Sequence, residues 1–429
     1  MALARAETRG HPAAVAVLAD WLPDRVPHAI LVSGPASVGK TTLALDLAAA
    51  LLCDAGDPES RPCRSCAACR RVASGNHPDV HRLRPSGPGL QIRIGVGDDG
   101  PGVRELISEL ALLTAEGRAR IGIIEAAHRM NESAQNALLT TLEEPPDATV
   151  IVLCADDEDR LLPTIRSRCA RIRLGPVGVA PIEELLGERG VAEPPAAARL
   201  ARLSGGRPGF ALALARRPEA VRSREELMRR LVDLAAAGPA DRLVAAPSLL
   251  AAARAVAAAI DVAADDEAQD ERPAATPRGR GGRQAQGRGG RAGARPGGRN
   301  AADPDGDATG GSEAGGDAAD GEGAAADSRE AAPSTRRGAP SERRADARAL
   351  VDTWRILARD VAVAAVGGRR EVRETALLEE VVALADRIPR GAAVAFLERL
   401  DATERLLESN ASPDLAVDTL LLAWPRATP

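Results

Sequence analysis

The run AILVSGPASVGKTTLALDLAAALL, residues 29–52, constrains this chain more than any other stretch. Ala29–Ser33 is a short apolar strand pattern, and 42–52 is an Ala/Leu-rich segment that reads as a buried helix. Between them lies GPASVGKT, residues 34–41, a glycine-bearing loop that turns a strand directly into a helix. In that context the loop's backbone N–H groups and the helix N-terminus cradle phosphates. Lys40 is expected to reach the β- and γ-phosphates and Thr41 to ligate Mg²⁺, with Gly34, Gly39 and Thr42 completing an ATP site. The alternatives are a chance match or a relic loop that no longer holds nucleotide.

The rest of the first 175 or so residues keeps the same alternation. Val103, Leu106, Ile107, Leu110 and Leu113 fall at helical spacing, while Arg120–Ile124 and 149–154 (TVIVLC) are short apolar strands. Asn131 can cap a helix over NESAQNALLTTLEE that Pro145 and Pro146 terminate. Strands alternating with helices predict an α/β fold, a parallel sheet covered on both faces. From about 179 to 262 the pattern is helical only.

Composition then shifts. Residues 264–345 are almost entirely Ala, Gly, Pro, Arg, Asp, Glu and Ser, too few apolar groups to offset the entropy of ordering, so a disordered insert is expected. Residues 278–299 hold seven Arg and no acid; 301–328 hold eight acids and no base. The Arg/Gly half can bind single-stranded DNA by charge and stacking, or the two halves can form a solvated tether. Helical patterns return at about 346.

Four further motifs bear on chemistry. Cys53, Cys63, Cys66 and Cys69, the last three in CRSCAAC, suit a tetrahedral zinc ion with no open position, hence a structural one; unligated loop cysteines are the alternative. Cys154 and Cys169 are expected as core thiols. A phosphate loop is normally accompanied by a buried strand ending in two acids, one organising Mg²⁺ and one polarising the attacking water. Here IGIIEAAH, 121–128, ends in Glu125-Ala126. Glu125 can serve the metal or stand as a solvated strand-end carboxylate; Ala126 cannot act as a base. Arg168, within LLPTIRSRC, sits on a loop before a strand, from which an arginine can reach a neighbouring subunit's phosphates or simply be solvated. Arg207, in SGGRPG, stands beside a helix start and can contact nucleotide or belong to a plain turn.

Bulk properties narrow the class. A net charge of −5 gives no bulk reason to expect nucleic-acid binding, although a local basic face is compatible with it. No apolar run approaches the ~20 residues of a membrane span, and MALARAETRG has no apolar centre like that of a signal peptide. A cytoplasmic, reducing location is expected, with thiols or metal ligands in preference to disulfides.

Together these strings resemble one family: subunits of the bacterial DNA polymerase III clamp loader, the delta-prime type above all. The resemblance rests on GPASVGKT, on the Cys53…Cys63-x2-Cys66-x2-Cys69 insert, on GNHPDV at 75–80, on NALLTTLEEPPDAT at 136–149 and on LLPTIRSRC at 161–169. It covers about 50–175 well and the C-terminal helices loosely. It implies an AAA+ domain over 1–178 with a zinc module at 53–69, a helical lid over 179–219, and a helical collar over 220–263 and 346–429 that the 264–345 insert interrupts. It implies other clamp-loader subunits (gamma/tau and delta), the sliding clamp and primed DNA as partners, and no membrane. Motor subunits of that family hydrolyse ATP; the delta-prime type acts as a stator that supplies the Ser-Arg-Cys arginine, here Arg168, to a neighbour. ATP binding with weak or absent hydrolysis is expected, and no polymerase active site. A gamma/tau-like motor is the alternative, and less favoured is another AAA+ ATPase of DNA repair.

Overall fold

Five strands, three of them apolar runs, pair into one all-parallel sheet in the computed structural model, which describes residues 3–22, 26–85, 91–95, 102–270, 340–409 and 411–428. The first part of the chain runs α1 (Pro12–Trp21), β1 (Ala29–Ser33), α2 (Lys40–Leu52), α3 (Ala67–Ala73), β2 (Val80–Leu83) and α4 (Val103–Leu110). It continues through β3 (Arg120–Ile124), α5 (Glu132–Glu143), β4 (Thr149–Ala155), α6 (Pro163–Arg166) and β5 (Ala170–Arg173). The strand order is β2-β3-β4-β1-β5.

β1, β3 and β4 are buried along their whole lengths, as expected of a sheet sandwiched between helices. Successive side chains feed opposite cores. Ile30 and Val32 join Leu43, Leu47 and Leu18 from α2 and α1; Ala29 and Leu31 join Leu106, Leu110 and Leu138 from α4 and α5. Gly122 lets α4 lie close to β3, because a Cβ there would stand 2.9 Å from a Leu110 methyl.

The Asn131 side chain accepts the Ala134 N–H at 2.8 Å and caps α5. The apolar spacing that predicts a helix through Leu113 overshoots: α4 ends at Leu110, and Leu113 is 93% exposed. The cause is polar. Buried Asp79 accepts the N–H groups of Ala115, Glu116 and Gly117 at 2.6, 3.0 and 2.7 Å, and Arg120 donates to the carbonyls of Glu109 and Leu113. These bonds hold the chain in a turn where a further helical turn would break them.

α7 (Val179–Glu188), α8 (Pro194–Leu203) and α9 (Pro208–Arg216) form a three-helix layer with its own core around Ile182, Leu186, Leu203 and Ala211. The C-terminal helical region follows as α10 (Pro218–Asp233), α11 (Pro239–Asp270), α12 (Pro340–Ala365), α13 (Leu378–Arg387), α14 (Ala392–Glu408) and α15 (Pro413–Ala423). Its core draws on Leu227, Leu231 and Leu249 from before the insert and on Leu350, Leu357, Leu400 and Leu420 from after it. The chain has five aromatic residues, three Trp and two Phe, and three of them meet here. Trp354, Phe396 and Trp424 pack with ring centroids 4.8, 5.1 and 5.5 Å apart in tilted and edge-on arrangements. α11 runs on to Asp270 and α12 begins at Pro340, so both ends of the stretch 264–345 are helical. Residues 271–339 lie outside the described residues. Among the described residues no helix is long and apolar enough to cross a membrane.

Arg242 of α11 pins this region together. Almost fully buried, it donates to the carbonyls of Ala235 and Ala237 after α10 and to those of Leu421, Trp424 and Pro425 at the end of α15. Truncation strands several buried carbonyls. Arg242→Ala is expected to lower stability by about 3 kcal/mol in urea unfolding followed by tryptophan fluorescence, with Arg242→Lys recovering only part because an ammonium lacks the guanidinium's fork.

Asp79 generates a pH prediction. Burial pushes its carboxyl up, but the three N–H bonds outweigh burial and hold it below the ordinary range. A depressed folded-state pKa means that this stabilisation is complete above the unfolded value of about 3.9 and fades as pH falls through the folded one. Asp79→Asn is expected to melt earlier at pH 7, and the gap from the natural chain should close below about pH 4.

Candidate functional site

Parallel pairing of β1 with β4 sets Ser33 opposite Ala155, and the Gly34 N–H donates to the Ala155 carbonyl at 3.1 Å. Gly34 (φ 149°) must be glycine here, since a Cβ would lie 2.1 Å from the Leu174 carbonyl oxygen. Gly39 (φ 104°) takes a left-handed conformation and starts α2. Lys40, nearly buried, places Nζ 2.8 Å from the Gly34 carbonyl, 2.6 Å from that of Pro35 and 2.7 Å from Asp156 Oδ1. Of the 56 lysines and arginines in the chain, Lys40 is the one lysine. A chain that uses arginine for every other basic side chain has kept a compact ammonium at the single place where a phosphate loop calls for one.

Lys40, Thr41, Thr42 and Gly39 line a cavity of about 600 Å³ together with Glu125. Gly34 bounds the loop through its backbone. Glu125 ends β3, and its Oε1 accepts from Arg82 Nε at 2.8 Å and Arg84 Nε at 3.0 Å. Two arginines from the neighbouring strand therefore already neutralise the carboxylate proposed for a metal. Ala126 occupies the position of the missing second acid with φ 51°. His128 lies behind it. Its Nδ1 accepts the Asp156 N–H at 3.1 Å, its Nε2 stands 3.6 Å from Asp156 Oδ2, and burial pushes its pKa down against the pull of Asp156.

The three-helix layer closes the other wall. The Gly209 N–H at the start of α9 donates to the Ser37 carbonyl at 3.0 Å, and Leu185, Phe210 and Leu212 face the cavity. Arg207 does not line it. Its guanidinium lies 4.4 Å over the ring of Phe210, and its Nε donates to the Ser204 carbonyl.

The sequence analysis missed Asp156, Arg82 and Arg84. Asp156 follows TVIVLC after one residue, Ala155, and so stands just past the end of its strand as Glu125 does. Arg82 and Arg84 alternate in VHRLR, which places both on one face of the strand and its extension.

The cysteines form a second centre. The sulfurs of Cys53, Cys63, Cys66 and Cys69 all lie within 4.8 Å of one another, close to the roughly 3.8 Å separation that tetrahedral zinc–thiolate geometry sets. Backbone N–H groups already point at them: Cys63 to Cys53 Sγ at 3.4 Å, Cys66 to Cys63 Sγ and Cys69 to Cys66 Sγ both at 3.3 Å. Such donors stabilise thiolates. The Ser65 hydroxyl and neighbouring N–H groups bring Cys63 down to about 6, whereas burial pushes Cys53 and Cys69 up. The cluster can chelate a metal, and its donor set fits zinc. Cys154 and Cys169 take no part; burial raises them to about 12 and about 11.

Arg64, inside the cysteine motif, ion-pairs with fully buried Asp46 of α2. Asp46 also accepts the N–H of Glu7 at 3.0 Å and the N–H and hydroxyl of Thr8 at 2.9 and 2.6 Å. Cysteine module, phosphate-loop helix and N-terminal segment thus share one carboxylate, and Glu7, Thr8 and Arg9 line the cavity.

Arg168 sits elsewhere. It follows α6, is partly exposed, donates to the Thr164 carbonyl at 3.0 Å and pairs with Glu143; it does not face this chain's own cavity.

The family described as DNA polymerase III, delta subunit matches residues 10–178, which span the phosphate loop, the cysteines, Glu125, Asp156 and Arg168. The DNA polymerase III subunit delta' of Bacillus subtilis is 36% identical over 206 residues, 48% of this chain and 59% of that protein. The delta' subunit of Pseudomonas aeruginosa is 39% identical over 183 residues, 42% of this chain and 53% of that protein. The tau subunit of Escherichia coli is 34% identical over 180 residues, 41% and 26% of the two chains. The chain is homologous to the bacterial DNA polymerase III clamp-loader subunits of the delta-prime and AAA+ family. It spans a little over half the length of the delta' relatives it matches. The family-model match ends at 178, so the three-helix layer and the C-terminal helices lie beyond that model's region.

The cysteine centre is testable on the purified clamp-loader homologue. Metal analysis should return one zinc per chain. Cys66→Ser should lose it and lower the melting temperature by about 10 °C or more. Hydrogen exchange at residues 4–8 should rise with it, because Arg64 then no longer anchors Asp46.

Proposed function

We propose that this chain is a stator-type subunit of the bacterial clamp loader that holds nucleotide without fast turnover and lends Arg168 to a neighbouring subunit's ATP. In this reading the sheet domain is the AAA+ body with the zinc module at 53–69. The layer α7–α9 is the lid (179–219), and α10–α15 form the collar (220–263 and 346–429) around the insert. Gamma/tau and delta subunits, the sliding clamp and primed DNA are its partners.

The observation that carries the proposal is the end of β3. Glu125 is paired with two arginines and is followed by Ala126, so no free carboxylate stands there to polarise water. The nearest other acid along this wall, Asp156, is held by Lys40. An intact cradle without a base supports binding without turnover. Arg168 supports the other half: it lies outside its own cavity, partly exposed, with one carbonyl and one exposed carboxylate as partners, so release toward another subunit costs little. A motor subunit is the second reading, favoured by the retained Lys40-Thr41 pair.

Single-turnover ATP hydrolysis in the reconstituted loader separates the two. With Arg168→Ala, the one ATP site that depends on this arginine should slow by roughly 10³-fold, and the isolated chain should be inactive. Strong hydrolysis by the isolated chain, or no loss in the complex, would make this subunit a motor or Arg168 structural.

A further inference from the structure

The nucleotide cavity does not fit a magnesium ion. A protein-held Mg²⁺ asks for one or two carboxylates in near-octahedral oxygen geometry beside the phosphates. Among the described residues two acids stand at the strand ends facing the phosphate loop, and both are engaged by cations. Glu125 Oε1 accepts from Arg82 and Arg84 at 2.8 and 3.0 Å, and Asp156 Oδ1 lies 2.7 Å from Lys40 Nζ. The Arg82–Glu125 pair is largely shielded, with side chains 16% and 18% exposed. A dication placed there would meet two guanidinium groups at close range. Thr41 alone would remain as a protein ligand, a neutral hydroxyl with no carboxylate to add to the phosphate and water oxygens. Glu7, the third acid on the cavity wall, belongs to the N-terminal segment.

The wall charge points the same way. Arg9, Lys40, Arg82, Arg84, Arg129 and Arg189 line the cavity against three carboxylates, Glu7, Glu125 and Asp156. This excess of positive charge complements a polyphosphate whose charge no metal has reduced. We propose that the site binds a nucleoside di- or triphosphate in its metal-free form, with Arg82 and Arg84 occupying the electrostatic role that a metal has in a hydrolysing site. The inference rests on the nucleotide reading of the cavity and goes beyond it. It also accounts for slow turnover by a cause other than the missing base, since no ion is there to draw charge off the transferring phosphoryl group.

The test is calorimetric titration of the full chain with ATP and with ADP, with magnesium supplied or omitted. Magnesium is removed by resin treatment of the buffers, because a soluble chelator would strip the cysteine centre. Affinity without magnesium should equal or exceed that with it. The Arg82→Ala, Arg84→Ala double variant should lose roughly tenfold or more in metal-free affinity and gain a magnesium requirement, because Glu125 is then released. Glu125→Gln keeps the proposal falsifiable if the double variant does not fold: metal-free binding should tighten, with no selective loss of the magnesium complex. Because Lys40 is the chain's one lysine, its protection from an amine-reactive reagent reports occupancy of this loop. Binding that is tenfold tighter with magnesium, or selectively lost with magnesium in Glu125→Gln, overturns the metal-free proposal and leaves the nucleotide site standing. No binding and no Lys40 protection in either buffer overturns both.

Discussion

The parallel pairing of β1 with β4 is the constraint on which the site depends. It buries two strands on both faces, and its register brings the start of the phosphate loop beside Asp156. The next pairing outward, β4 with β3, carries Glu125 to the same edge, and β3 with β2 carries Arg82 and Arg84 there. Four strands thus deliver one residue group each to a single wall. A slip of one residue in any of these pairings would turn the delivered side chains to the opposite face.

A second dependence is electrostatic. Asp46 is a buried carboxylate whose burial favours the neutral form, opposed by Thr8, the Glu7 N–H and Arg64. Three segments distant in sequence each satisfy part of it, so each is ordered by the others. The arrangement of the cysteine cluster, the local order of residues 7–9 and the shape of the phosphate-loop cavity are therefore not independent properties. The fully buried Arg224 and Glu374 in the C-terminal helical region contrast with this arrangement. They approach only to 3.9 Å, with Arg199 at 3.6 Å from the same carboxylate, and the Arg224 Nη atoms and both Glu374 carboxylate oxygens make no direct hydrogen bond, a spacing that suits a bridging water.

Legibility from sequence followed how local the determinant is. The strand–loop–helix of 29–52, the Asn131 cap and the cysteine spacing depend on neighbours within a few residues, and each is present in the structure. The end of α4 was not legible, because Asp79 and Arg120 impose it from distant positions. Glu125 was recognisable as a strand-end acid, but its pairing with Arg82 and Arg84 required the order of strands, which no periodicity encodes. Arg207 shows the same limit. A glycine-rich turn before a helix marks a possible phosphate contact, yet the Phe210 ring three residues on decides where the guanidinium lies. Lys40 is legible twice over, from its place in the loop motif and from a composition count that isolates it as the one lysine, with no structural help.

The C-terminal helical region is built from chain on both sides of residues 271–339, and this bears on the order of events during synthesis. When α10 and α11 leave the ribosome, the faces that carry Leu227, Leu231 and Leu249 have only each other as complement, because Trp354, Phe396 and Trp424 are not yet made. At about 5–20 residues per second the intervening segment alone delays those residues by several seconds, long compared with the formation of a helix. The sheet domain can close its core during that interval, while α10 and α11 wait with apolar surface exposed. Low intrinsic stickiness in a waiting helix then has a value of its own, and the many alanines of α11 meet it: they sustain the helix while presenting less apolar surface than leucines would.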